Sequence, residues 1–227
     1  MTETATKISA NDFVKGVLAG ERDFSGSKIE AGAGDFSAVA GYAEMNSYLA
    51  GLTDLRENPI LLNGIDWSGV KAPGIYLLGA KMAGANFEGA DLRDADLRRS
   101  DLTGANFRKA NVSGTVFIGA RLMESDFDGA TMHAADLYEA NISKGRLTNA
   151  DITGGYLLRL NLSGTDITGS KITNALFYRS DLRGIVGLET VQDLGTCLFK
   201  HTMVTAREKA IIDAAFDALP RFDLRPE

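Results

Sequence analysis

The sequence predicts an all-β solenoid, a four-sided coil of short strands with short helical additions at both ends. Three observations carry this prediction. First, from Met82 to Leu182 every fifth residue is large and apolar, 21 positions in succession. At the chain's 44% hydrophobic content the chance of that run is about 3 in 10⁸. Second, the residue two before each of these is small in 20 of the 21 cases, Leu160 being the exception. The residue just before is Asp or Asn in 13, and Gly stands two after in 10. Third, the outward positions repeat at multiples of 20: residues 78, 118, 138, 158 and 178 are Leu, Ile, Tyr, Leu and Tyr.

A period of five fits neither a helix, at 3.6, nor a flat strand, at 2. A chain that turns a corner every five residues satisfies it. The large residue and the small one two before it then point inward, and the other three point outward. Each coil is marginal alone and buries its apolar side against the next. Glycine and short polar residues tolerate the corner conformations. A three-sided coil would repeat at 15 and a four-sided one at 20. Trp67, Phe87, Phe107 and Phe127, all inward, also choose 20.

The stretch GADLRDADLRRSDLTGANFRKAN, with its A-(D/N)-L-x-x pattern, resembles the pentapeptide-repeat family. The resemblance is strong over residues 80–184, and a weaker copy runs back through Leu77, Ala72, Trp67 and Leu62 to near residue 60. It implies a right-handed quadrilateral β-helix of pentapeptide repeats with helical caps. With strands stacked about 4.8 Å apart, six coils would span about 30 Å. The motif is specific for architecture and not for function.

The chain divides into three segments. Residues 1–59 hold an N-terminal cap helix, first repeats and a helical insertion. Ser9 to Asp12 reads as a capping box, with Phe13, Val14, Val17 and Leu18 as the apolar stripe and Gly20 at the end. Phe24 and Ile29 centre two repeats, and Val39, Tyr42, Met45, Leu49 and Leu52 predict a helix near 37–51. Residues 60–184 form the β-helix, whose five-residue step stops after Arg183-Gly184. Residues 185–227 carry a helix near 206–219, opened by Thr205 to Glu208 and closed by Pro220, with Ala210, Ile211, Ala214, Ala215, Ala218 and Leu219 along one side.

Little in the sequence suits catalysis, a cofactor or a metal, and the chain reads as no enzyme. His133 points outward with only Asp151 as an acid one coil away, and Cys197 has no local His partner. Asp91, Asp94 and Asp96, or Asp126 and Asp128, occupy outward positions where Arg93, Arg98 and Arg99 offset charge. No Gly-rich phosphate loop opens a helix. One cysteine excludes a disulfide framework and a cysteine-based zinc cluster. A net charge of −6 argues against direct nucleic-acid binding. No apolar run reaches membrane-spanning length and no secretory signal is visible, so the expected location is cytoplasmic.

One outer wall stands apart. The flanks of residues 77, 97, 117, 137, 157 and 177 place nine large apolar side chains in twelve outward positions: Tyr76, Leu78, Val116, Ile118, Tyr138, Tyr156, Leu158, Leu176 and Tyr178. The walls centred on Trp67 and on Ala72 have none. A patch of several hundred Å² exceeds what a monomer leaves open, and covering it is worth roughly 10 kcal/mol before ordering costs. The 37–51 segment, the 206–219 helix, a twofold mate in a homodimer, or a different protein would cover it. The leading expectation is a non-catalytic protein-binding scaffold acting through its surface. The family resemblance implies an alternative: a DNA-mimicking protector or inhibitor of a type II topoisomerase, DNA gyrase or topoisomerase IV. That role would use the acids Asp66, Glu88, Asp126, Asp128 and Asp166, which share the Trp67 wall. Residues 61–184 carry 14 acidic and 14 basic side chains, so the rod is neutral on average, which weakens this alternative and leaves it a single acidic face.

Overall fold

A computed structural model describes residues 5–29 and 34–217. Its main body is a stack of coils. Leu61 bridges Lys81, Asp66 bridges Asn86, Lys71 bridges Asp91 and Tyr76 bridges Asp96, all in parallel. The same offset of 20 continues coil by coil to Asp166 with Val186. Bridges thus recur every five residues, each joining residues 20 apart, the spacing of the outward rows. Sides within the pile are tied to both neighbouring coils: the Phe87 N–H donates to the Asn106 carbonyl at 2.7 Å, and the Asn86 N–H to the Ile65 carbonyl at 2.8 Å.

The corner chemistry explains the sequence pattern. The residue two after each inward large residue is left-handed, with φ of +66° at Gly104, and also where it is not glycine, as at Ala134 (+52°) and Lys144 (+59°). Glycine is favoured there because a Cβ is strained at positive φ. The Asp or Asn just before the inward residue closes the same corner from the side chain. Asn111 Oδ1 accepts the Ser113 N–H at 3.1 Å, and Asp181 Oδ1 accepts that of Arg183 at 3.1 Å.

Inside, Trp67, Phe87, Phe107 and Phe127 form one column with ring centroids 6.0, 5.0 and 4.5 Å apart. All four are fully buried. The column is closed at its N-terminal end by α1 (Ala10–Leu18), whose Phe13 meets Trp67 edge-on at 5.2 Å. Ser9 and Asp12 make the expected capping box. Below the first full coil lie three sides of another. Asp23, Lys28 and Asp35 bridge Leu61, Asp66 and Lys71, turning Phe24, Ile29 and Phe36 inward. The outer edge of the middle side is itself covered, because β1 (Lys7–Ile8) pairs in parallel with β2 (Lys28–Ile29).

Three sequence-based expectations need correction. The inserted helix, α2, runs Tyr42–Gly51 and not from 37. Asp35 instead caps a short turn at Phe36–Ala38, and Gly41 at φ +88° separates that turn from the helix. The stacking also continues past Gly184, where the five-residue step stops. Gln192 bridges Lys171 and Met203 bridges Asp181. β3 (Tyr156–Leu158), β4 (Leu176–Tyr178) and β5 (Leu198–Lys200) form one parallel sheet. The offset grows from 20 to 21 and then 22, so two inserted residues break the period without ending the pile. Finally, α3 (Ala206–Asp217) turns Ile212 to the body, with Ile211 and Ala215 half-buried, while Ala210 and Ala214 are exposed. The larger side chain wins the inward place because it buries more apolar area. Ala218, Leu219 and Pro220 lie outside the described residues.

Candidate interaction surface

The bridges and strand registers set six of the nine apolar flank residues along one wall. Tyr76, Asp96, Val116, Asp136, Tyr156 and Leu176 form one column, and Leu198 extends it. Leu158 and Tyr178 lie in register in the second column. Three coverings differ along its length. At the N-terminal end the chain covers itself. Tyr42 donates its hydroxyl to the Pro73 carbonyl at 2.9 Å, and Asn46 Oδ1 accepts the Tyr76 N–H at 3.0 Å. Leu52 and Leu55 of the segment after α2 lie beside Leu78.

In the middle and upper coils, corner arginines shield the tyrosines. The Arg159 guanidinium lies 6.0 Å from the Tyr138 ring and pairs with Glu139 at 2.7 Å. That of Arg179 lies 5.3 Å from the Tyr178 ring. Eight of the nine residues are half-buried. At the C-terminal end the wall is open: Tyr156 is 54% exposed and Leu198 58%. α3 packs instead against the 188–196 turns, with Phe216 6.3 Å from Phe199. α3 reaches the end of the row, where Lys209, Ile212, Asp213 and Phe216 line a groove with Leu198, and among the described residues it leaves Leu198 and Tyr156 more than half exposed. Leu198 was invisible as a member of the wall because it sits 22 residues after Leu176.

The acidic face has a different character. Lys28 pairs with Asp66. Arg108 reaches Asp126 at 3.3 Å and Asp128 at 2.9 Å, and Arg146 reaches Asp126 at 3.2 Å from the next coil. Hydrogen bonds from Thr148 and Asn149, with Arg108 and Arg146 alongside, hold the Asp128 carboxyl below the usual carboxylate range. Asp166 Oδ1 accepts the Thr168 N–H at 2.9 Å, and Glu88 Oε2 accepts from Asn106 at 3.4 Å. Arg108 and Arg146 thus interrupt a wall that carries five acids to two arginines.

The groups considered for chemistry are engaged structurally. His133 Nε2 lies 3.0 Å from Asp151 Oδ2, on the surface. Partial burial would raise the Asp151 carboxyl, but hydrogen bonds from Thr153 and His133 outweigh it and hold it at about 2. Burial pushes the Cys197 thiol up to about 11, and its Sγ donates to the Ile172 carbonyl at 2.9 Å. Such a thiol is a poor nucleophile. Asp91 is held by Arg93 at 2.7 Å and Asp96 by Arg98. Among the described residues no helix is long and apolar enough to cross a membrane.

The family model for pentapeptide repeats matches eight copies, over residues 62–99, 80–117, 105–144, 117–154 and 146–184. No curated protein matches the chain. Among solved structures, a pentapeptide repeat protein of the Arabidopsis thaliana thylakoid lumen is 24% identical, with a TM-score of 0.40. That match covers 41% of this chain and 65% of the other's length. HetL, from the cyanobacterium Nostoc sp. strain PCC 7120 and involved in heterocyst differentiation regulation, is 19% identical at a TM-score of 0.43, covering 86% and 94%. QnrB1, a plasmid-mediated fluoroquinolone resistance protein, is 18% identical at a TM-score of 0.38, covering 88% and 94%.

Proposed function

This chain belongs to the pentapeptide-repeat family, and from that premise we propose that it is a non-catalytic scaffold that binds other proteins through one outer wall. In this reading the coils close into a right-handed quadrilateral β-helix, and the upper end of the apolar wall is the docking face. The observation that carries the proposal is the Tyr156–Leu176–Leu198 row, three apolar side chains in register on adjacent strands with the outer two more than half exposed. Elsewhere on the wall α2, the segment after it and the corner arginines lie against Tyr76, Leu78, Tyr138 and Tyr178. A flat sheet face with an apolar centre and arginines at its margin has the composition of a protein interface.

Tyr156→Glu with Leu198→Glu tests this. Both side chains are exposed, so the double variant keeps its fold. It should lose the wild type's associations, read by light scattering for self-association and by pull-down for another protein. A double variant that keeps every association of the wild type refutes the proposal. The topoisomerase alternative calls for a continuous negative face, and the ion pairs of Lys28, Arg108 and Arg146 interrupt the one available.

A further inference from the structure

A second surface lies at the opposite end of the wall, where the segment after α2 crosses the first full coil. It is a groove of about 380 Å³. Leu52, Leu55 and Leu78 give it an apolar floor, and Arg56, Lys81 and Arg99 stand around it. No carboxylate lines it. None of the three cations makes an ion pair with a carboxylate among the described residues, whereas Arg98, next to Arg99, is taken up by Asp96. Asp101, which follows Lys81 in the same outward row, is turned to its own corner by hydrogen bonds from the Thr103 N–H and hydroxyl. In a chain of net charge −6 this concentration of unpaired positive charge is local.

We propose that this groove is a docking site for an acidic peptide segment of a partner protein, an extended chain that places an apolar side chain on the three leucines and carboxylates among Arg56, Lys81 and Arg99. Charge complementarity selects the acidic chemistry, because an anionic segment gains three favourable interactions where a basic one meets three repulsions. The leucine floor requires an apolar residue between the acids, since a purely polar segment would leave it wet. The backbone favours a peptide over a small anionic amphiphile. Thr53 and Arg56 are exposed residues whose N–H groups donate to no protein acceptor among the described residues, and a chain laid alongside would offer them carbonyls. The site is separate from the Tyr156–Leu176–Leu198 row, so the two surfaces can engage different partners or two parts of one.

Selection of a random peptide library displayed on phage against the immobilised full chain tests the inference. Recovered sequences should be enriched in Asp and Glu flanking Leu, Ile or Phe. A labelled synthetic copy of the most frequent one, followed by fluorescence anisotropy, should bind about tenfold more weakly in 0.5 M salt than in 0.05 M. It should lose at least about tenfold in affinity to Arg56→Glu with Arg99→Glu, which alters only exposed side chains, and a similar factor to Leu78→Ser. Tyr156→Glu with Leu198→Glu should leave its affinity unchanged, so failure here and failure of the wall are told apart. Neutral or basic sequences, no sequence above background, or an acidic peptide that binds the arginine double variant as tightly as the wild type would each overturn the inference. So would displacement of the peptide by dodecanoate at equal concentration, which would assign the groove to a small amphiphile.

Discussion

Replacing Phe107 by Ala removes the middle of the aromatic column. The ring is fully buried, stacked on Phe127 at 4.5 Å and 6° and on Phe87 at 5.0 Å and 16°, and it meets Phe117 edge-on at 6.0 Å. A buried Phe→Ala change costs about 3–5 kcal/mol from lost transfer energy and the cavity left behind. Aromatic neighbours on both sides place Phe107 at the upper end of that range, since each pair adds about 0.5–1.5 kcal/mol. Relaxation is limited because coils above and below fix the strand by hydrogen bonds on both edges. Phe199 is the internal control. It is half-buried, stacked on Phe177 at 4.8 Å with Phe216 edge-on at 6.3 Å, and it lies in the last coil. Its removal should cost about half as much. Equilibrium urea unfolding reports both, followed by circular dichroism and by the fluorescence of Trp67, the single tryptophan, which stands in the same column as Phe107. A loss below about 1 kcal/mol for Phe107→Ala, or a larger loss for Phe199→Ala, would refute the column as the stabilising core.

Other outcomes follow from the same structure. Ala134 is exposed at φ +52°, so Ala134→Gly should stabilise the chain by about 0.5–1 kcal/mol, and a thermal melt that moves down instead would contradict the corner argument. The Asp151 carboxyl is depressed to about 2, so its stabilisation is complete above its unfolded value near 4 and is lost as pH falls through about 2. The gap in melting temperature between wild type and Asp151→Asn should therefore be widest above pH 5 and shrink towards pH 2; a gap that is constant over this range would remove the assigned role. In a gyrase supercoiling assay, with or without a quinolone, the protein should change neither rate nor drug sensitivity, because its acids at Asp66, Asp126 and Asp128 are paired. Protection or inhibition at micromolar protein would revive the topoisomerase reading.

The five-residue step made the 20-residue bridge ladder legible because inward and outward positions differ so sharply in size and polarity along it. Legibility failed wherever the step slipped. Phe36 completes a third side below the first coil, but it follows Ile29 by seven residues, and the longer connection hid it. Gln192 and Leu198 keep the stack in register after one and two inserted residues, so the strand that extends the wall looked like a tail. The wall itself could be read from its 20-residue recurrence. Its covering could not, because the shielding of Tyr138 and Tyr178 comes from Arg159 and Arg179 at left-handed corners, and those positions follow no pattern of residue type. The basic groove had no sequence signal at all. Arg56, Lys81 and Arg99 are brought together only by the path of the segment after α2.

Site-specific photo-crosslinking tests the central claim most directly, in the cells that express the chain. On the proposal that this row is the docking face, a benzophenone amino acid placed at Tyr156 or Leu198 should yield a discrete covalent adduct, with a second copy or with another protein. The same group at Glu88 or Asp166, on the wall without large apolar side chains, should yield none above background. Equal labelling from both walls, or no adduct from residues 156 and 198, would contradict the account.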